Sequence, residues 1–134
     1  MKKRGFGEGR WNGAGGKVQE NETIEEALVR EANEEFGINV HAFEKVAELT
    51  FTFPHEPSFN QIVHVYLTDT WTGDPQESEE MRPQWFKVTT IPYGDMWSDD
   101  IIWLPQILQG KRLRGSFTFA PGDQVLEHHT EPLT

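Results

Sequence analysis

Residues 16–38 read GKVQENETIEEALVREANEEFGI, and this stretch decides the fold. Gly16 is followed by five residues, Glu22, seven residues, and then Arg30-Glu31-Ala32-Asn33-Glu34-Glu35-Phe36-Gly37-Ile38. Thr23 with Glu26 three residues later is a capping box, which starts a helix near residue 24. Gly37 supplies the left-handed residue that ends it. Ile24, Ala27, Leu28, Ala32 and Phe36 form an apolar stripe along that helix. With Glu31 at zero on the helical wheel, Ile24 falls at about 20°, Glu35 at about 40°, Leu28 at about 60° and Ala27 at about −40°. Glu31 and Glu35 thus lie inside the apolar arc, and Glu34 lies just beyond its edge. Carboxylates at i, i+3 and i+4 repel one another, and half-burying them costs more unless a positive charge compensates. A hard divalent cation with oxygen ligands is such a charge.

The spacing resembles the Nudix box, the signature of Mg²⁺-dependent hydrolases that cleave a diphosphate linked to another group. Gly16, Glu22, Arg30, Glu31, Glu34, Glu35 and Gly37 fill its fixed positions, with apolar Ala32 and Ile38 where the pattern wants them. At roughly one in fifteen per position, chance agreement is about one in 10⁸. The resemblance implies an α+β fold, the α/β/α sandwich with a mixed sheet between helices.

The chain of 134 residues makes one domain, residues 1–134, with a single core. Its net charge of −10 repels a nucleic-acid strand or an anionic membrane. With no cysteine there is neither a disulfide nor a thiolate metal site. No apolar run reaches spanning length and the start lacks a signal-peptide core, so a cytoplasmic setting is expected.

Against that acidity, Lys2, Lys3, Arg4, Arg10 and Lys17 crowd the first 17 positions, together with six of the twelve glycines. A basic, glycine-rich loop running into an acidic helix suits a metal-bound polyphosphate. Its backbone N–H groups approach oxygens closely and its cations balance phosphate charge.

Further along, residues 45–53 and 62–71 read as strands joined by a loop at 54–60. A polar stretch at 72–84 precedes a short strand at 85–88. A second helix covers 99–109, bent or started at Pro105, and strands at 113–119 and 124–128 close the domain. Phe51 and Phe53, at i and i+2, share one face of their strand. Trp97 and Trp103 flank Asp99-Asp100. An ionised carboxylate accepts from the N–H edge of a purine, and a neighbouring carboxyl that keeps its proton donates to a carbonyl oxygen. That pair is complementary to an oxidised purine; a pair capping the second helix is the plainer reading. The five histidines lack ligand spacing.

The segments MKKRGFGEGRWNGAGGKVQENETIEEA, EMRPQWF and DMWSDDIIWLP resemble the MutT-homologue branch of the Nudix family, whose animal members hydrolyse oxidised purine nucleoside triphosphates. The resemblance implies nucleotide-pool sanitation, converting 8-oxo-dGTP and related triphosphates to monophosphate and pyrophosphate. It implies base contacts at Phe6, Asn12, Phe51, Phe53, Met81, Trp97, Asp99 and Asp100, with Ser98 among them. Lys2 and Ala14, Gly15, Gly16 and Lys17 lie toward sugar and phosphates. Metal ligands are the Gly15 carbonyl, Glu31, Glu34, Glu35 and Glu80, for Mg²⁺ or alternatively Mn²⁺. Arg30 joins Glu31, Glu34 and Glu35 in the catalytic set by orienting a carboxylate, and Glu22 is an outer ligand or structural acid. The family also has a central strand ahead of the counterpart of Met1, so the sheet is expected without its first strand. A monomer is expected unless a partner supplies that strand. Ala14, Phe36 and Ser98 depart from the family pattern without touching the box. Two alternatives share the box: a pyrophosphatase for another nucleotide or pterin triphosphate, and a catalytically inactive nucleotide-binding module.

Overall fold

The computed structural model describes residues 1–133. Helix α1 spans Ile24–Phe36 and is bounded as its sequence dictates. Thr23 Oγ1 accepts the Glu26 amide at 3.1 Å while the Glu26 carboxylate accepts the Thr23 amide at 3.2 Å. Gly37 ends the helix at φ 71°, where its amide reaches the Asn33 carbonyl and a side chain would be strained.

Strands β1 (Asn39–Thr52), β2 (Gln61–Thr72), β3 (Leu113–Phe119) and β4 (Val125–Pro132) form one mixed sheet in the order β2-β1-β3-β4. β1 runs parallel to β3, with Ala47 opposite Leu113 and Thr52 opposite Thr118. β3 and β4 are antiparallel, with a bulge between Thr118 and Phe119. Helix α2, Asp100–Leu108, contains Pro105 in its interior instead of starting there.

By its contacts the chain divides into two compact units. The first comprises Met1–Phe43 and Thr68–Met96; the second comprises Glu44–Leu67 and the chain from Trp97 on. In the second unit Val46, Leu49, Phe53, Trp103, Ile107, Leu113, Phe117 and Phe119 form a buried core, and Phe53 stacks on Phe119 with ring centroids 4.7 Å apart. In the first, the N-terminal segment folds back on itself, with the Lys2 amide on the Arg10 carbonyl and the Gly9 amide on Lys2, each at 2.9 Å. It is stitched onto residues 80–82 by Lys3 N–H to Glu80 O and Arg82 N–H to Met1 O.

The strand expected at 85–88 is absent. Residues 82–87 are irregular, and Val88–Thr90 is a 3₁₀ turn. Trp85 and Phe86 use their rings instead, against Trp71 and Trp11 respectively. Among the described residues no helix is long and apolar enough to cross a membrane.

Candidate active site

The phase of α1 sets the exposure of its acids. Glu35 is buried at 5%, Glu31 keeps 16% of its side chain exposed, and Glu34 keeps 56%. Arg30 organises them. Its Nε and Nη2 donate to the Glu22 carboxylate at 2.7 and 3.0 Å, and its Nη1 donates to Glu31 at 2.7 Å and Glu34 at 3.1 Å. Nη2 also reaches the Lys17 carbonyl at 3.1 Å, tying the glycine-rich loop to the helix. The Glu22 bond, then the Glu31 bond, raises the Arg30 pKa, and the guanidinium in turn holds Glu22 below the usual carboxylate range. Both arms of that fork grip the Glu22 carboxylate.

The loop approaches the same helix through its backbone. The Gly15 amide donates to Glu35 Oε2 at 3.1 Å. Gly16 lies so close to Glu31 that an added Cβ would overlap its carboxylate. Burial pushes the Glu35 carboxyl up to about 7, against the pull of the Gly15 amide, with the charge of Glu31 adding to the rise.

These donors are all oxygens, the kind a hard divalent cation takes. The excess of carboxylates around the single Arg30 guanidinium fits such an ion. As the side chains stand, no three acidic or histidine groups among the described residues converge as a metal-holding cluster. Glu31 and Glu34 both turn to Arg30.

The basic N-terminus is engaged with acids. Lys2 pairs with Glu80 at 3.3 Å, Lys3 with Glu77, and Arg4 with Glu80 at 2.7 Å. Arg4 first, then Lys2, lowers the Glu80 pKa. Met81, which bridges to Lys2, is fully buried, whereas Phe6 is 44% exposed. Ala14 is half-buried and Lys17 exposed. Asn12 bonds the Gly13 amide and lines a cavity of about 450 Å³ with Trp11, Trp71, Arg82 and Trp85.

The second unit brings together the other predicted residues. Phe51, Phe53, Trp97, Phe117 and Phe119 form one aromatic cluster, so Phe53, at 1% exposure, serves as core. Asp99 and Asp100 are both buried at the start of α2. Asp99 occupies the capping position, yet its carboxylate makes no capping bond. It accepts the indole N–H of Trp103 at 2.7 Å instead. Burial raises both carboxyls, and the charge of Asp99 carries Asp100 further, to about 8. Asp100 therefore keeps its proton at neutral pH, beside the buried Asp99. Sequence reading set Trp103 beside the pair without its role; the i, i+4 spacing from Asp99 was the available signal.

Residues 1–107 match the NUDIX domain. The chain belongs to the Nudix family. This Nudix chain is 50% identical over 133 residues to the oxidized purine nucleoside triphosphate hydrolase of Danio rerio, spanning 99% of this chain and 85% of that protein. It is 50% identical over 128 residues to the protein of the same name in Mus musculus, covering 96% and 81%. Its fold is similar to the mutator MutT protein of Bacillus halodurans, with a TM-score of 0.84 and 25% identity over 94% of this chain and 85% of that one. Nudix hydrolases generally use a divalent metal ion.

Proposed function

We propose that this Nudix chain hydrolyses oxidised purine nucleoside triphosphates such as 8-oxo-dGTP to monophosphate and pyrophosphate, sanitising the nucleotide pool. Membership of the family supports the reaction. The Asp99–Asp100 pair is the observation that carries the substrate. Asp100, buried and holding its proton, is a donor beside the buried oxygens of Asp99, and the two together would match adjacent N–H and C=O groups on a purine edge.

Glu31, Glu34 and Glu35, with the Gly15 carbonyl and Glu80, are the oxygen donors for Mg²⁺, or alternatively Mn²⁺. Such an ion neutralises phosphate charge and lowers the pKa of a bound water. The chain's own groups prepare that site. Arg30 fixes the direction of the Glu31 and Glu34 carboxylates through charge-assisted bonds, and Glu22 fixes Arg30. The Gly15 amide holds Glu35 toward the loop, and the missing side chain of Gly16 lets the loop lie against Glu31. Lys2, already beside Glu80, is a cation for the phosphates. A small-molecule nucleotide is the partner, taken up by a monomer in the cytoplasm.

The test is product analysis. Incubation of 8-oxo-dGTP with the protein and Mg²⁺ should release monophosphate and pyrophosphate, and a chelator should abolish it. Release of diphosphate and orthophosphate, or cleavage that survives the chelator, contradicts the proposal.

A further inference from the structure

The turn leading into α2 is moored to the β3–β4 connection by one hydroxyl. Ser98 Oγ donates to the Asp123 carbonyl at 2.8 Å and accepts the Val125 amide at 3.2 Å. A serine hydroxyl has a single proton to give, and this one is given to the backbone. Ser98 therefore has no donor left for a nucleotide.

The mooring point is itself unusual. Asp123 has φ 66°, in the left-handed region that non-glycine residues seldom adopt. The turn is closed by Ala120 N–H to the Gln124 carbonyl at 2.8 Å and Asp123 N–H to the Ala120 carbonyl at 3.1 Å. Its strain presents the Asp123 carbonyl to Ser98. On the other side, the Asp100 amide reaches the Trp97 carbonyl at 3.0 Å, so Ser98 sits inside a tight turn running from Trp97 to Asp100. Trp97 lies edge-on to Phe53 and Phe119, and Asp99 takes the Trp103 indole.

We propose that Ser98 is a positioning residue, whose hydroxyl locks the Trp97–Asp100 turn onto the β3–β4 turn and thereby sets where Asp99 and Asp100 point. This rests on the reading of the aspartate pair as the element that recognises the oxidised base. Discrimination by hydrogen bonds requires that the wrong base leave buried polar groups unpaired, and a pair free to swing re-pairs with either base. The hydroxyl thus acts on selectivity and leaves the phosphate chemistry alone.

The experiment compares the wild-type chain with Ser98→Ala and Ser98→Thr. It measures kcat and KM for 8-oxo-dGTP and dGTP, with hydrogen exchange of the Asp99–Trp103 amides alongside. Ser98→Ala, which removes both hydroxyl hydrogen bonds, should lower the oxidised-to-normal preference about five- to tenfold. The change should appear as a raised KM for the oxidised nucleotide, with kcat on dGTP unchanged and exchange at Asp99–Trp103 faster. Ser98→Thr, which keeps the hydroxyl, should restore the preference. An unchanged preference in Ser98→Ala, with or without faster exchange, overturns the positioning role and leaves the function standing. An equal loss on both substrates with a lowered melting temperature makes Ser98 merely structural and also overturns it. A wild-type chain with no preference overturns the reading of the aspartate pair, and the role of Ser98 with it.

Discussion

The indole N–H of Trp103 donates to the Asp99 carboxylate at 2.7 Å, one helical turn away, and neither group reaches solvent to any useful extent. A buried hydrogen bond to an acid side chain is among the stronger ones, because losing it strands a polar group away from water. The coupling between the two residues should therefore be measurable. A double-mutant cycle of Trp103→Phe and Asp99→Asn, followed by urea unfolding, should give a coupling of about 1.5–3 kcal/mol. Additive effects would mean the bond does not form in solution.

The same pair predicts how stability varies with pH. The Asp100 carboxyl is raised from its ordinary range to about 8 by burial and by Asp99. A raised carboxyl favours the folded state fully below the ordinary aspartate pKa, and that contribution drains away as pH rises through about 8. The wild type should thus lose melting temperature between pH 5 and 9 relative to Asp100→Asn, which cannot ionise. Parallel curves for the two proteins would refute the retained proton.

Glu35→Gln and Glu31→Gln should each lower turnover by at least about a hundredfold. Folding should survive, since burial already favours the uncharged Glu35 carboxyl and a neutral amide of the same shape replaces it closely. Circular dichroism and melting temperature check the fold, and steady-state rates check the activity. Near-normal turnover in either variant would remove these acids from the machinery.

Gly16→Ala tests the loop against the helix. The new methyl would overlap the Glu31 carboxylate, which must then leave Arg30 Nη1 or push the loop away. Turnover should fall by about tenfold or more, with a smaller effect on melting temperature, because Arg30 keeps its two bonds to Glu22. A large loss of stability with unchanged turnover would show that the contact supports the fold alone.

Helix α1 was legible in the sequence because its two ends and its phase are local signals. Thr23 with Glu26, Gly37, and the placement of Glu31 and Glu35 on the apolar arc are all reproduced. Strand β1 begins earlier than its pattern suggests, since Asn39 to Glu44 alternate too weakly to be read. The strand expected at 85–88 failed for a different reason: propensity at Trp85 and Phe86 does not make a strand without a neighbour to pair with. In the site, the spacing of the acids could be read but their attachments could not. Lys3 meets Glu77 and Arg4 meets Glu80 across more than 70 residues of chain, so the basic cluster looked free for phosphate while Lys2, Lys3 and Arg4 were already paired. Ser98 shows the same blindness, because its partner lies in a turn whose left-handed Asp123 no pattern announces.

The most direct test of the proposed function is the ratio of kcat/KM for 8-oxo-dGTP to that for dGTP, measured in parallel with Mg²⁺ on the wild-type chain. The Asp99–Asp100 pair predicts a ratio of at least about tenfold, the scale on which unpaired polar groups discriminate. A ratio of one, or a preference for dGTP, would contradict it.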